Sequence, residues 1–215
     1  MSRTITRVVK IAAVFSLFCL TTSAAYAGSA YEGYTLFNQT CFLCHGTSGK
    51  GDGPLADKLD MSPSDLTSDG KTDDERLFGL IKGTIAHGSE KSAMPKWGLA
   101  MPENQIRSLM AYIRFLQNSK HALPGDPELG QAVYMDRCVA CHGRGGMGDG
   151  PLTELLTMNT QNLTDGSELN KHPNSELIHI ITNGTPGKTL MPGWKGILSE
   201  EEIAGVLSYV RLLAK

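Results

Sequence analysis

Aromatic residues make up only 7% of this chain of 215 residues, and there are only five cysteines. No lysine- and arginine-rich run of the kind that tracks phosphates occurs, so nucleic acid is a poor fit as a partner. No segment alternates apolar and polar residues as a half-buried strand would. The one strong apolar run, residues 11–20, is well short of the ~20 residues a spanning helix needs. Few aromatics and 24 glycines describe small, loop-rich domains with thin apolar cores. Domains of that kind often need covalent or cofactor support. Hydrophobic residues still reach 40%, near the globular norm, which argues against disorder.

The apolar run belongs to a targeting segment. Arg3, Arg7 and Lys10 precede it, and Ala25-Tyr26-Ala27 follows with the form of a cleavage site. Residues 1–27 are expected to be a signal peptide cleaved after Ala27, with an uncleaved membrane anchor as the rival. The mature chain is then expected in the periplasm, without stable membrane insertion. Cleavage removes three basic residues and no acid, so net charge moves from −2 to −5. Residues 28–121 carry 10 basic and 11 acidic residues, and residues 122–215 carry 7 and 11. Such a mild acidity is short-ranged at physiological salt and names no partner.

What the chain does have is one unit written twice. "CFLCHGTSGKGDGPL" begins at Cys41 and "CVACHGRGGMGDGPL" at Cys138, 97 residues later. The same shift places Asp65-Leu66-Thr67 on Asn162-Leu163-Thr164, Met94-Pro95 on Met191-Pro192, and Trp97 on Trp194. A repeat this long means duplicated domains rather than a solenoid. The division is residues 28–118 and 127–215, joined by a polar linker over 119–126 that holds Pro124 and Gly125.

Each unit reads as mostly helix. Ser29 with Glu32, Thr72 with Glu75 and Ser199 with Glu202 have the spacing of capping boxes, and Asp126-Pro127 has that of a capped first turn. Ile106, Leu109, Met110, Ile113 and Leu116 recur at helical spacing, as do Ile203, Val206, Leu207, Val210 and Leu213.

After signal removal, all four remaining cysteines lie in the two Cys-x-x-Cys-His units. A thioredoxin-like dithiol would normally accompany a βαβ pattern, which is missing. A Cys₄ zinc site would have to bridge the domain boundary and would leave both histidines without a role. Covalent haem attachment uses every element: two thiols on one helical turn, then an imidazole aimed at iron. That reading assigns Cys41, Cys44, Cys138 and Cys141 to attachment of two haem c groups, with His45 and His142 as axial ligands. It also requires a second axial ligand at a repeated position. Met94 and Met191 each lie 49 residues after their histidine and each precedes proline, which stiffens the presenting loop. Of the remaining methionines only Met61 and Met158 coincide under the shift, and neither precedes proline. Neither His87, His121, His172 nor His179 has a histidine counterpart, so surface or loop positions are expected, with His87 the nearest rival ligand.

These motifs resemble a two-haem class I cytochrome c, over about residues 29–214. The resemblance implies an all-α fold, two tandem cytochrome c-type domains each wrapped around a covalently attached haem. It also implies that a first and a last helix cross through small and aromatic residues. Gly33, Phe37, Leu109 and Tyr112 match that pattern, and Gly130, Tyr134, Val206 and Tyr209 repeat it. Family members use a Gly-Pro carbonyl to accept from the axial imidazole, which makes Pro54 and Pro151 candidates. The family's longer Gly-Pro-Asn-Leu form is absent, since Leu55 and Leu152 follow proline directly. Trp97 and Trp194 are candidates for packing against haem or bonding a propionate, against a reading as ordinary core aromatics. The expected function is a non-enzymatic carrier of single electrons between a protein donor and a protein acceptor, either free or as a subunit of a larger oxidoreductase such as a flavocytochrome. A haem enzyme of the two-haem peroxidase or thiosulfate-oxidising type is the alternative. It needs an open or thiolate-type haem position, whereas both halves here offer methionine.

Overall fold

A computed structural model of the protein describes residues 28–68, 72–86 and 93–214. Residues 1–27, expected to be a targeting segment, and His87 lie outside the described residues. The described chain forms two helical bundles in succession, and among the described residues the nearest thing to a strand is an isolated bridge between Lys195 and Leu198. The first bundle contains α1 (Ala30–Thr40), α2 (Phe42–His45), α3 (Asp74–Lys82) and α4 (Glu103–Asn118). The second contains α5 (Pro127–Arg137), α6 (Val139–His142), α7 (Pro151–Leu155), α8 (Gly166–Leu169), α9 (Asn174–Asn183) and α10 (Glu200–Leu213).

In each bundle the first helix crosses the last at a glycine. A Cβ on Gly33 would overlap the Ser108 carbonyl oxygen, and one on Gly130 would overlap that of Gly205. The backbones approach so closely that only hydrogen fits, which lets the flanking apolar side chains meet. Phe37, Ile106, Leu109 and Tyr112 are buried around the first crossing, and Tyr134, Val206 and Tyr209 around the second. The crossing pattern expected from the resemblance is therefore present in both halves.

The helix starts follow the sequence with two corrections. Ser199 and Glu202 form the reciprocal capping box, and Asp126 caps α5 by accepting from the Glu128 amide. Ser29 does accept from the Glu32 amide, but the Glu32 carboxylate does not return to Ser29. It accepts instead from the Ser108 hydroxyl at 2.6 Å, and that hydroxyl accepts from the Ser29 amide at 3.2 Å. The close crossing brings Ser108 between the two groups, so tertiary structure displaces the local box. The cap of α3 is Asp73, which accepts from the Arg76 amide, rather than Thr72. Asp73 reaches the same free amides from one residue nearer. The Thr72 carbonyl accepts from Arg114 instead.

Candidate functional site

Each Cys-x-x-Cys-His unit occupies a single helical turn. The His45 amide donates to the Cys41 carbonyl at 2.9 Å, and the His142 amide donates to the Cys138 carbonyl at 2.9 Å. That turn places the two cysteines of each unit close together and directs the histidine back toward the domain. None of the four is in a disulfide. Burial pushes the Cys41 thiol up, and it pushes Cys138 up to about 11, with the neighbouring Cys141 adding to the shift. Among the described residues, no three His, Cys, Asp or Glu side chains converge as a metal site would require.

The repeated Gly-Asp-Gly-Pro-Leu segment now has a structural cause. The Gly51 amide donates to the His45 carbonyl and the Gly53 amide to the Cys44 carbonyl, at 2.9 and 3.0 Å. Gly148 and Gly150 repeat these bonds to His142 and Cys141, at 2.9 and 3.1 Å. The segment is laced to the back of the Cys-x-x-Cys-His turn. A Cβ on Gly53 would lie 2.5 Å from the Leu43 carbonyl, so only glycine permits the approach. The lacing holds a glycine-rich loop against the motif without a large apolar core.

His45 is buried, at 9% exposure, and His142 is half-buried. His45 Nδ1 lies 3.0 Å from the Ser64 carbonyl. This corrects the expectation for Pro54. Pro54 is exposed and opens a turn in which Ala56 bonds back to Gly53. The Ser64 carbonyl is brought over the ring because Leu66 bonds to the Gly49 carbonyl at 2.7 Å and Asp65 closes a turn onto Thr67. The second half repeats the frame, with Leu163 bonded to Gly146 at 2.6 Å and Asn162 closing the turn onto Thr164. Gln161 stands where Ser64 does. Burial lowers the His142 pKa, and the Gln161 backbone partly offsets it, yet His142 Nδ1 lacks a partner within hydrogen-bond geometry. Pro151 is corrected in the same way, because it is exposed and occupies the first turn of α7.

Met94 and Met191 lie in irregular segments, each half-exposed. The segments fold back on the ends of α3 and α9. Gly98 is pressed against the Lys82 carbonyl, and Gly193 against that of Asn183. Thr185 donates to the Met191 carbonyl at 3.2 Å. His121, His172 and His179 are engaged by Asn170, by Glu168 and Glu176, and by Asn183, respectively.

Several features fit a haem in each half. Trp97 Nε1 is buried without a hydrogen-bond partner, as is His142 Nδ1. A buried indole N–H calls for an acceptor, and a propionate is one. Large apolar side chains stand exposed beside the motifs: Leu43 and Leu55 in the first half, and Leu99 at 90% exposure two residues after Trp97. Leu190 and Ile197 flank Met191 and Trp194 in the same way. Exposed apolar groups gathered at one functional loop mark a binding surface. Trp194 is half-buried.

Two features could not be anticipated from motifs. The Tyr134 hydroxyl donates to the Gly143 carbonyl at 2.8 Å, tying α5 to the end of the second Cys-x-x-Cys-His turn. Its counterpart Phe37 has no hydroxyl. The carbonyl acceptor at Ser64 was also invisible, although the Asx-Leu-Thr that follows it, repeated after Gln161, was a usable signal.

The family described as "Cytochrome C oxidase, cbb3-type, subunit III" matches this chain twice, over residues 28–113 and 125–210. The cbb3-type cytochrome c oxidase subunit FixP of Bradyrhizobium diazoefficiens is 29% identical over 186 residues, covering 85% of this chain and 60% of that protein. The subunit CcoP of Azospirillum brasilense is 29% identical over 187 residues, covering 84% and 61%. The cytochrome c6 of Chlorolobion braunii is 40% identical over 86 residues, covering 40% of this chain and 88% of its own. The chain thus spans about 60% of the length of the oxidase subunits it matches. Two motif-bearing bundles in register, each matched over most of its length by one family, show that the chain belongs to the cbb3-type subunit III family of cytochromes and is a two-haem class I cytochrome c with covalently bound haem c in both domains.

Proposed function

We propose that the mature chain is exported to the periplasm and passes single electrons between protein partners, as the cytochrome subunit of a cbb3-type terminal oxidase. In this reading Cys41 and Cys44 hold the first haem by thioether bonds, and Cys138 and Cys141 hold the second. His45 with Met94, and His142 with Met191, ligate the two irons. A haem so bound supplies a one-electron ferric–ferrous couple. The chain's own residues do the rest. The Gly51–Leu55 and Gly148–Leu152 loops hold the histidines' backbone, and the Ser64 carbonyl fixes the tautomer and orientation of His45. Trp97 offers its buried N–H to a propionate. Two methionine ligands fill the positions at which a substrate would otherwise bind, which favours outer-sphere transfer over catalysis.

The observation that carries this reading is the duplication itself. The same laced loop and the same histidine-to-methionine offset of 49 residues occur in both halves. The oxidase assignment draws on the relatives' descriptions. Among the described residues, no helix is long and apolar enough to cross a membrane. The test is optical and magnetic. Pyridine haemochrome should count two haems per chain, and the oxidised protein should show the methionine–iron charge-transfer band at both. A high-spin ferric signal from either haem would overturn the carrier reading in favour of a haem peroxidase.

A further inference from the structure

The duplication is imperfect along one face of α1, and the two domains meet there. Tyr31 stands where the second half has Glu128, and Tyr34 where it has Gln131. The Tyr31 ring meets the Tyr209 ring edge-on, with centroids 5.1 Å apart and planes at 81°. Its hydroxyl donates to Gln131 Oε1 on α5 at 3.0 Å. Tyr209 in turn packs against Tyr134 at 5.1 Å. Leu212, from the last helix of the second domain, is buried in the apolar core of the first. Tyr31 therefore touches the packing of both domains, one ring away from each helix crossing.

The linker supplies a second attachment. His121 Nε2 lies 3.2 Å from the Asn170 carbonyl, Asn174 donates to the Ala122 carbonyl at 2.8 Å, and the Gly125 amide donates to Ser208 at 2.8 Å. A single tether leaves rotation free, whereas a tether plus a packed seam fixes an orientation.

We propose that Tyr31 is a positioning residue that locks the second cytochrome domain against the first, so that the two haems exchange electrons across one fixed geometry. The docking follows from the residues above. Its consequence for electron exchange rests on the two-haem carrier reading. Edge-to-face aromatic contact adds attraction beyond burial, and the phenol–amide bond gives it a direction. Neither contact exists at the equivalent face of α5, where Glu128 is exposed. The seam is consequently single-sided.

The test uses the full mature protein with both haems. Tyr31→Glu copies the residue of the second half, Tyr31→Phe keeps the ring and loses only the hydroxyl bond, and Gln131→Ala removes the acceptor from the other domain. Haem counts and single-haem spectra verify that each domain is folded and loaded. In the reduced protein, nitrogen-15 relaxation should give one tumbling time for the wild type and two for Tyr31→Glu, with a larger radius of gyration by X-ray scattering. Tyr31→Phe and Gln131→Ala should fall between. In half-reduced samples, inter-haem exchange should slow in the same order while each haem's potential stays in place. A purely local structural role would not move exchange without moving a potential. Retention of a single tumbling time in both Tyr31→Glu and Gln131→Ala overturns the proposal. So does separate tumbling with unchanged exchange. A preparation with fewer than two haems would count against the carrier reading, while scattering still decides the docking.

Discussion

The two domains share one frame and fasten it differently. In the first domain carboxylates do much of the fastening. Glu32 receives the Ser108 hydroxyl, Asp65 closes the turn beside His45, and Asp74 holds Arg114. In the second domain amides and backbone oxygens take two of these places, while Leu129 and Gly205 stand where Glu32 and Ser108 do. Asn162 closes the equivalent turn, and Asn174, the first residue of α9, holds Arg211 where Asp74, the first residue of α3, holds Arg114. Arg211 is 2% exposed and donates to the Leu169 and His172 carbonyls as well. Burial lowers its pKa, though not enough to remove the charge of a guanidinium. A fold that accepts either fastening owes its shape to the glycine crossings and the laced loops, which do not vary between halves.

The largest effects should come from breaking what is common. Gly33→Ala and Gly130→Ala each drive a methyl group into a backbone carbonyl. Each should destabilise its own domain by about 4 kcal/mol or more, at the upper end for overpacking. Haem content should fall from two to one per chain, measured by pyridine haemochrome, with the other domain's spectrum retained.

The fastenings come next, and here the domains should part. Arg211→Leu leaves the buried oxygen of Leu169 and the half-buried oxygens of His172 and Asn174 without donors, at a cost of about 3 kcal/mol. Arg114→Leu removes a partly exposed ion pair and a carbonyl bond, at a cost of about 1 kcal/mol. Urea unfolding followed at each domain's haem should rank them in that order, and equal losses would dissolve the distinction.

A smaller difference lies at the aromatic pair. Tyr134→Phe removes the hydroxyl bond to Gly143 and should cost the second domain about 1 kcal/mol. Phe37→Tyr transplants the hydroxyl to the same register, beside Gly46. If the crossing geometry is as alike as the glycines indicate, the first domain should gain a bond and lose little or nothing in its thermal midpoint.

The smallest effect is the response to acid. The Thr67 hydroxyl and amide hold the Asp65 carboxyl below its ordinary value of 3.8. A depressed folded-state pKa contributes stability that is complete above the unfolded value and disappears as pH falls through the folded one. The turn beside His45 should therefore loosen below about pH 4, while the Asn162 turn does not titrate. Amide exchange at Leu66 and Thr67, compared with Leu163 and Thr164 across that range, measures the difference. Asp65→Asn should abolish it.

Much of this was legible in the residues. The duplication was visible in Cys-x-x-Cys-His, in Gly-Asp-Gly-Pro-Leu and in Met-Pro-x-Trp, because each group must recur at a set spacing. Helical periodicity located both last helices, and Ser199-Glu202 was a correct start signal because nothing tertiary competes there. Ser29-Glu32 reads identically but was overridden by Ser108, which lies 76 residues from Glu32. Pro54 and Pro151 followed the family's usage, yet both are spent on exposed turns. The acceptor expected of Pro54 comes from Ser64, whose side chain announces nothing because the carbonyl alone is used.

The sequence by itself determined that there are two domains, that each is helical, and which thiols and imidazoles are the candidates for a haem site. Those are matters of spacing along the chain, and spacing is local. Only tertiary structure decided which carbonyl faces an imidazole, which oxygen replaces a capping partner, and that Tyr31 joins the two domains. Each of these depends on segments far apart in sequence being brought within about 3 Å, the reach of a hydrogen bond, or into ring contact. The close glycine crossings make that approach possible.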